Sequence, residues 1–144
     1  MRGLLVLDIS DPAIPQVLGS YQTGQARGIA LEGDQAYLAT GRGLEIVDVA
    51  DVAAPALLAL YPTPFYALDV QLAQGRAYLT FGNIGSSDSG GMVVVDVRDP
   101  RKPALLAQAL LPAANAGNVV VANGLVALTS SRHGLLLLQE ASGK

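Results

Sequence analysis

The chain has 144 residues, 51% hydrophobic and 15% charged, with a formal net charge of −3 and no cysteine. That is material for one globular core, and it excludes a disulfide scaffold or a Cys-based zinc site. A mildly acidic balance, with no basic cluster and few aromatics, argues against nucleic-acid binding.

In chain order, Gly3-Leu-Leu-Val-Leu-Asp8 is a short apolar strand, followed by a turn at Asp11-Pro12 and an outer strand headed by Pro15. Residues 26–40 carry turn residues, Gly33-Asp34, at their centre and predict a tight hairpin with strands over 26–32 and 35–40. Strands over 44–49 and 56–61 follow. Residues 67–81 align on 26–40 without gaps, turning at Gln74-Gly75, and so do residues 116–130, turning at Asn123-Gly124. Asn-Gly favours such a turn because both central positions want positive φ. The Ala/Leu-rich stretch 103–115 is helix-like by propensity. Its counterparts 15–23 and 55–63 carry Val, Tyr, Gly and Pro, which suit an edge strand.

These elements form a repeat. Gly3–Pro15 returns as Gly43–Pro55 and Gly91–Pro103, and a decayed copy, Gly134-Leu-Leu-Leu-Leu-Gln139, closes the chain. Four short strands at a period of roughly 40–45 residues are the pattern of a β-propeller blade. The strands starting at Gly3, Gly43 and Gly91 read as apolar on both faces, as stacked blades require; crossover helices, which a parallel sheet would need, are missing. The expected fold is therefore all-β, one propeller or half-propeller domain over 1–144 with four-stranded antiparallel blades. The units fall at about 1–25, 26–65, 66–115 and 116–144, the first and last partial. About three and a half blades do not close a ring, since closed propellers typically have about 4–8. Either two copies complete one ring, as a homodimer, or blades are missing at the N-terminus; the start at Met1 reads as a truncation or a late start site.

The motif Gly-Leu-x-Ile-Val-Asp-Val-x-Asp-x-x-x-Pro, best matched at 43–55 and 91–103, resembles the LVIVD-repeat family of β-propellers over residues 3–139. The resemblance implies a bacterial or archaeal propeller, often secreted or at the cell surface. It carries no catalytic residues over. No signal peptide opens the chain, because Asp8 interrupts the apolar run, and no stretch is long enough for a transmembrane helix.

Two sets of aspartates recur, Asp8, Asp48 and Asp96, then Asp11, Asp51 and Asp99. A carboxylate ring for cations is one reading; Asp-centred turns are the favoured one, because residues repeated in every blade serve the blade. What breaks the symmetry is the connection between second and third strands: Gly41-Arg42, then residues 82–90, then residues 130–133. These loops and the connections between blades share one face. That face gathers Arg42, Asn83, Ser86, Ser87, Asp88, Ser89, Arg132 and His133, the candidate binding face, with Tyr61, Phe65 and Tyr66 beside it. The competing reading is a solvated Gly/Ser loop. A lone histidine is a poor metal site, pairing His133 with Ser131 gives no triad by itself, and the glycines of 82–91 lack a Walker signature. Arg27, Asp69 and Asn118 are a second, channel-lining candidate.

No catalytic, metal or cofactor site is identified, and no cofactor is implied. The function favoured is a non-enzymatic interaction or scaffold module that associates with itself. The alternatives are a small-molecule binder or hydrolase/lyase-type enzyme using Arg42, Asp88, Arg132 and His133 at the channel mouth, and a truncated fragment of a longer propeller. The partner beyond a second copy is an unidentified protein or small ligand.

Overall fold

The computed structural model describes residues 3–83, 89–112 and 114–139. Among them are thirteen strands and no helix, so none is long and apolar enough to cross a membrane. The first sheet pairs β1 (Gly3–Asp8) with β2 (Gln16–Gln22). The second runs β3 (Ala26–Glu32), β4 (Gln35–Thr40), β5 (Gly43–Asp48), β6 (Ala56–Pro62). The third runs β7 (Tyr66–Ala73), β8 (Arg76–Gly82), β9 (Ser89–Asp96), β10 (Ala104–Pro112), so the helix-like stretch is an edge strand. The fourth runs β11 (Ala116–Ala122), β12 (Leu125–Ser130), β13 (Gly134–Gln139). Every pairing is antiparallel between strands adjacent in sequence, the meander of a propeller blade.

The hairpins follow from local chemistry. Gln74 and Gly75 (φ 53° and 70°) and Asn123 and Gly124 (φ 52° and 74°) hold positive φ at both central positions, as a type I′ turn demands. In the first hairpin only Gly33 does so, at φ 56°. A register shift recurs where the first two strands of each complete sheet pair, at Ala26/Gly28 and Ala67/Asp69. Another recurs between the last two, at Ile46/Val47 and Leu105/Ala107. Bulges at fixed places increase the right-handed twist each blade needs.

The sheets stack face to face in chain order. Ala36, Leu38 and Val47 meet Leu4, Tyr21 and Val49 between the first two sheets. Tyr37, Leu44 and Ile46 of the second meet Val70, Leu79, Phe81, Val93 and Val95 of the third. Tyr78 and Met92 of the third meet Val119, Val126 and Leu128 of the fourth. The leading strands β3, β7 and β11 touch across successive sheets, so they lie nearest a common axis. Alternate residues of each third strand point backward and forward along the stack. Leu44 and Ile46 face the third sheet, whereas Glu45 and Val47 face the first.

The motif glycine has one physical reason in three places. A Cβ at Gly3, Gly43 or Gly91 would sit 2.2 Å from the carbonyl oxygen of Tyr21, Tyr61 or Ala109 on the outer strand. At Gly134 nothing lies within 4 Å, because the fourth sheet has no outer strand among the described residues. Gly43→Ala should therefore destabilise by about 3 kcal/mol or more through overpacking. Gly134→Ala, whose φ of 73° is strained but whose surroundings are open, should cost only about 1–2 kcal/mol. Urea unfolding of the two variants checks the difference, and equal losses would refute the packing role.

Candidate functional site

The repeated aspartates are turn builders. Asp8, Asp48 and Asp96 each accept a hydrogen bond at Oδ1 from the backbone N–H two residues on, at 2.8–3.0 Å. Asp11, Asp51 and Asp99 do the same at 3.0 Å, and their carbonyls accept from Ile14, Ala54 and Lys102 at 3.0 Å. All six repeat one local geometry, and its donors are main-chain amides. Asp96 also pairs with Arg98, whose guanidinium holds it down to about 2.

Two of the loop connections meet, those at Asn83 and Ser131. Gly41 N–H donates to Gln25 O at 3.1 Å, and Ser131 N–H to Asn115 O at 3.0 Å, so loops within a sheet are tied to the chain entering it. Asn115 is the organiser. Its amide oxygen accepts from Asn83 N–H at 3.1 Å, its amide nitrogen donates to Asn83 O at 3.0 Å, and its N–H donates to Ser131 Oγ at 3.1 Å. Asn83 and Ser131, from loops of different sheets, are thereby held on one residue. Ser89 opens β9, and its carbonyl accepts from Asn83 N–H at 3.2 Å. Ser86, Ser87 and Asp88 lie outside the described residues.

Arg132 and His133 are exposed. Both backbone N–H groups point at the buried Ser130 Oγ, at 3.4 and 3.3 Å, and His133 Nδ1 is 3.3 Å from the same oxygen. The neighbour of His133 is thus Ser130 rather than Ser131. Tyr66 packs over Gly41. Phe65 stacks on Phe81 with centroids 6.4 Å apart, and Tyr61 packs against the core between the second and third sheets.

Nearer the axis, Asp69 Oδ2 accepts from Val119 N–H at 2.9 Å and Asn118 Nδ2 at 3.3 Å, joining β7 to β11. Gly28 lets β3 approach, since a Cβ there would meet Asp69 Oδ1 at 2.7 Å. Asp69 and Asn118 come together; Arg27 instead donates to Gln25 at 3.0 Å.

A buried polar cluster centres on Glu45, which lies outside the loop-based candidate face. Its side chain has no solvent exposure, and Arg42, half exposed, reaches it with Nη2 at 3.0 Å and Nε at 3.1 Å. Tyr21 Oη donates at 2.7 Å, Thr23 Oγ1 at 2.5 Å and Thr40 Oγ1 at 2.9 Å. Burial by itself would raise the carboxyl. The hydrogen bonds from Arg42, Thr23, Tyr21 and Thr40 outweigh it and bring Glu45 down to about 2. Tyr21, desolvated and bonded to that carboxylate, is pushed up to about 12. Equivalent positions hold Leu5, Val93 and Leu136. The signal in the sequence was one acid inside the apolar run Leu44–Val47. The cluster binds the first sheet to the second, so Arg42 is a structural partner of Glu45.

Compared with family models, the chain matches the LVIVD repeat twice, over residues 1–23 and 24–63. No curated protein matches it.

Because Glu45 is lowered in the folded chain, the unfolded chain takes up its proton first as pH falls. The stability it contributes is complete above about 4.5 and lost as pH falls through about 2. Glu45→Gln should cost about 1–3 kcal/mol at neutral pH, a cost that shrinks as pH falls through that window. Asp96 titrates there too but remains in the variant, so the difference between the two chains isolates Glu45. Denaturant unfolding at stepped pH measures it; a difference independent of pH would sink the assignment.

Proposed function

From a chain that carries LVIVD repeats, we propose a non-enzymatic interaction module whose first partner is a second copy of itself and whose loop rim receives another partner. The observation that carries this is a contrast between equivalent positions. Val93 and Val95 are 2% and 0% exposed inside the stack, while Leu5 and Leu7 at its first end are 48% and 46% exposed. Leu44 and Ile46 are fully buried, while Leu135 and Leu137 at its last end are 64% and 65% exposed. Both ends therefore present a third-strand face of the kind that is buried between the inner sheets. Apolar sheet faces and free strand edges of this kind favour association.

The rim reading rests on placement. Exposed Arg132 and His133 stand beside the Asn83–Asn115–Ser131 link, and Arg42 projects half its side chain from a neighbouring turn. Rigid scaffolds with variable loops commonly use them for recognition. An enzyme would converge these groups on one deep pocket. The grooves at the blade faces are instead lined by apolar residues such as Leu5, Ile29 and Leu31, and by Tyr78, Met92 and Leu138.

Light scattering on a size-exclusion column should give twice the chain mass of 14.8 kDa. Leu31→Glu, at a position 67% exposed, should leave the fold intact by circular dichroism and return the mass to that of one chain. A chain monomeric at every concentration would overturn self-association.

A further inference from the structure

We infer that the β1–β2 hairpin of one copy docks on the edge of β12 in a second copy, in place of that copy's own β13, so that β11, β12, β1 and β2 form one four-stranded blade. This rests on the self-association proposed above and says which strands make it.

Three observations converge. The first is strand direction. Among the described residues β1 is paired on one edge only, to β2, and β13 on one edge only, to β12. β1 and β13 are the same repeat strand, third in its blade. In a continued stack, adding β1 beside β13 would place two equivalent strands parallel, whereas every pairing in the molecule is antiparallel. The edge that continues the meander is that of β12, which β13 occupies.

The second is side-chain register. Gly3-Leu-Leu-Val-Leu-Asp8 and Gly134-Leu-Leu-Leu-Leu-Gln139 agree at four of six positions. On the β12–β13 register, Gly3 falls opposite Ser130, Val6 opposite Ala127 and Asp8 opposite Leu125. Leu5 and Leu7, now exposed, take the places of Leu136 and Leu138 against Tyr78 and Met92. Leu4 stays against its own second sheet, where the Glu45 cluster and the contact of Gly19 with Val52 hold the hairpin. The partner's β11 and β12 then cover the apolar groove of about 260 Å³ lined by Leu5, Leu7, Ile29 and Leu31, as β3 and β4 already cover β7 and β8.

The third is closure. The described residues of each chain then supply two complete sheets and a share of two composite ones, so two copies of this segment make six blades, within the range of about 4–8 for closed propellers. A trimer would exceed it. β13 is the strand that can yield: among the described residues nothing pairs with its outer side, and Gln139 stands where the other copies have the motif Asp.

The chain has no cysteine, so engineered pairs report directly. Full-length Val6→Cys and Ala127→Cys chains, mixed and mildly oxidised, should give a disulfide-linked pair, and neither should do so alone. Val6→Cys with Thr129→Cys, about 7 Å out of register, should link on the order of tenfold less. In the unmodified chain, hydrogen exchange should show amides of 134–139 losing protection and those of 3–8 gaining it as concentration rises. A dimer that keeps 134–139 protected and never links 6 to 127 overturns the exchange and leaves self-association standing. A monomer throughout overturns both.

Discussion

Burial on both faces of the two complete, inner sheets is the constraint on which the rest depends. A sheet apolar on one face can stand over a core with its other face in water. Here β4, β5, β8 and β9 carry apolar or fully buried residues pointing both ways, so the second and third sheets each sit between two neighbours. The stack follows from that requirement, as does the fine detail. The motif glycines let the outer strand close on the third strand, and the Asp turns return the chain without using ladder hydrogen bonds. The same pattern leaves apolar surface at the ends of the stack, where Leu5, Ile29, Leu135 and Leu137 keep the chemistry of an interior position without its neighbours.

Against this apolar regularity stand a few polar links, each between sheets rather than within one. Glu45 ties the first sheet to the second, and Asp69 ties the third to the fourth. Asn115 ties their loops. Apolar stacking is non-directional and tolerates sliding, whereas a carboxylate held by Tyr21, Thr23, Thr40 and a forked Arg42 accepts one geometry. Such links set register between blades that repeat too closely to set it by shape. They also explain why β1–β2, a two-stranded sheet and marginal by itself, remains seated on β4 and β5.

One part of the candidate site is legible in the sequence. Loop lengths differ between repeats, and a meander puts alternate connections on one side, which is consistent with the meeting of Asn83 and the loop at Ser131. Their partners were not legible. That His133 sits on Ser130, and that Asn115 gathers Asn83 and Ser131, depends on how two sheets are rotated against each other. Glu45 is not legible in this way, because a charge within an apolar strand has no local meaning; two of its partners, Tyr21 and Thr23, are more than twenty residues away in sequence.

The sequence by itself determined the all-β repeat, the strand order, the hairpin turns and the edge position of 104–112, because those rest on local spacing and on the allowed φ of a few turn residues. Repetition overrode helix propensity in that last strand, since equivalent segments must occupy equivalent places. Tertiary structure decided which apolar residues are core and which are surface. Leu5 and Val93 are indistinguishable as letters in a repeat, yet one is half exposed and the other buried. Burial belongs to the neighbouring sheet, and a strand's own sequence does not say whether that neighbour is there.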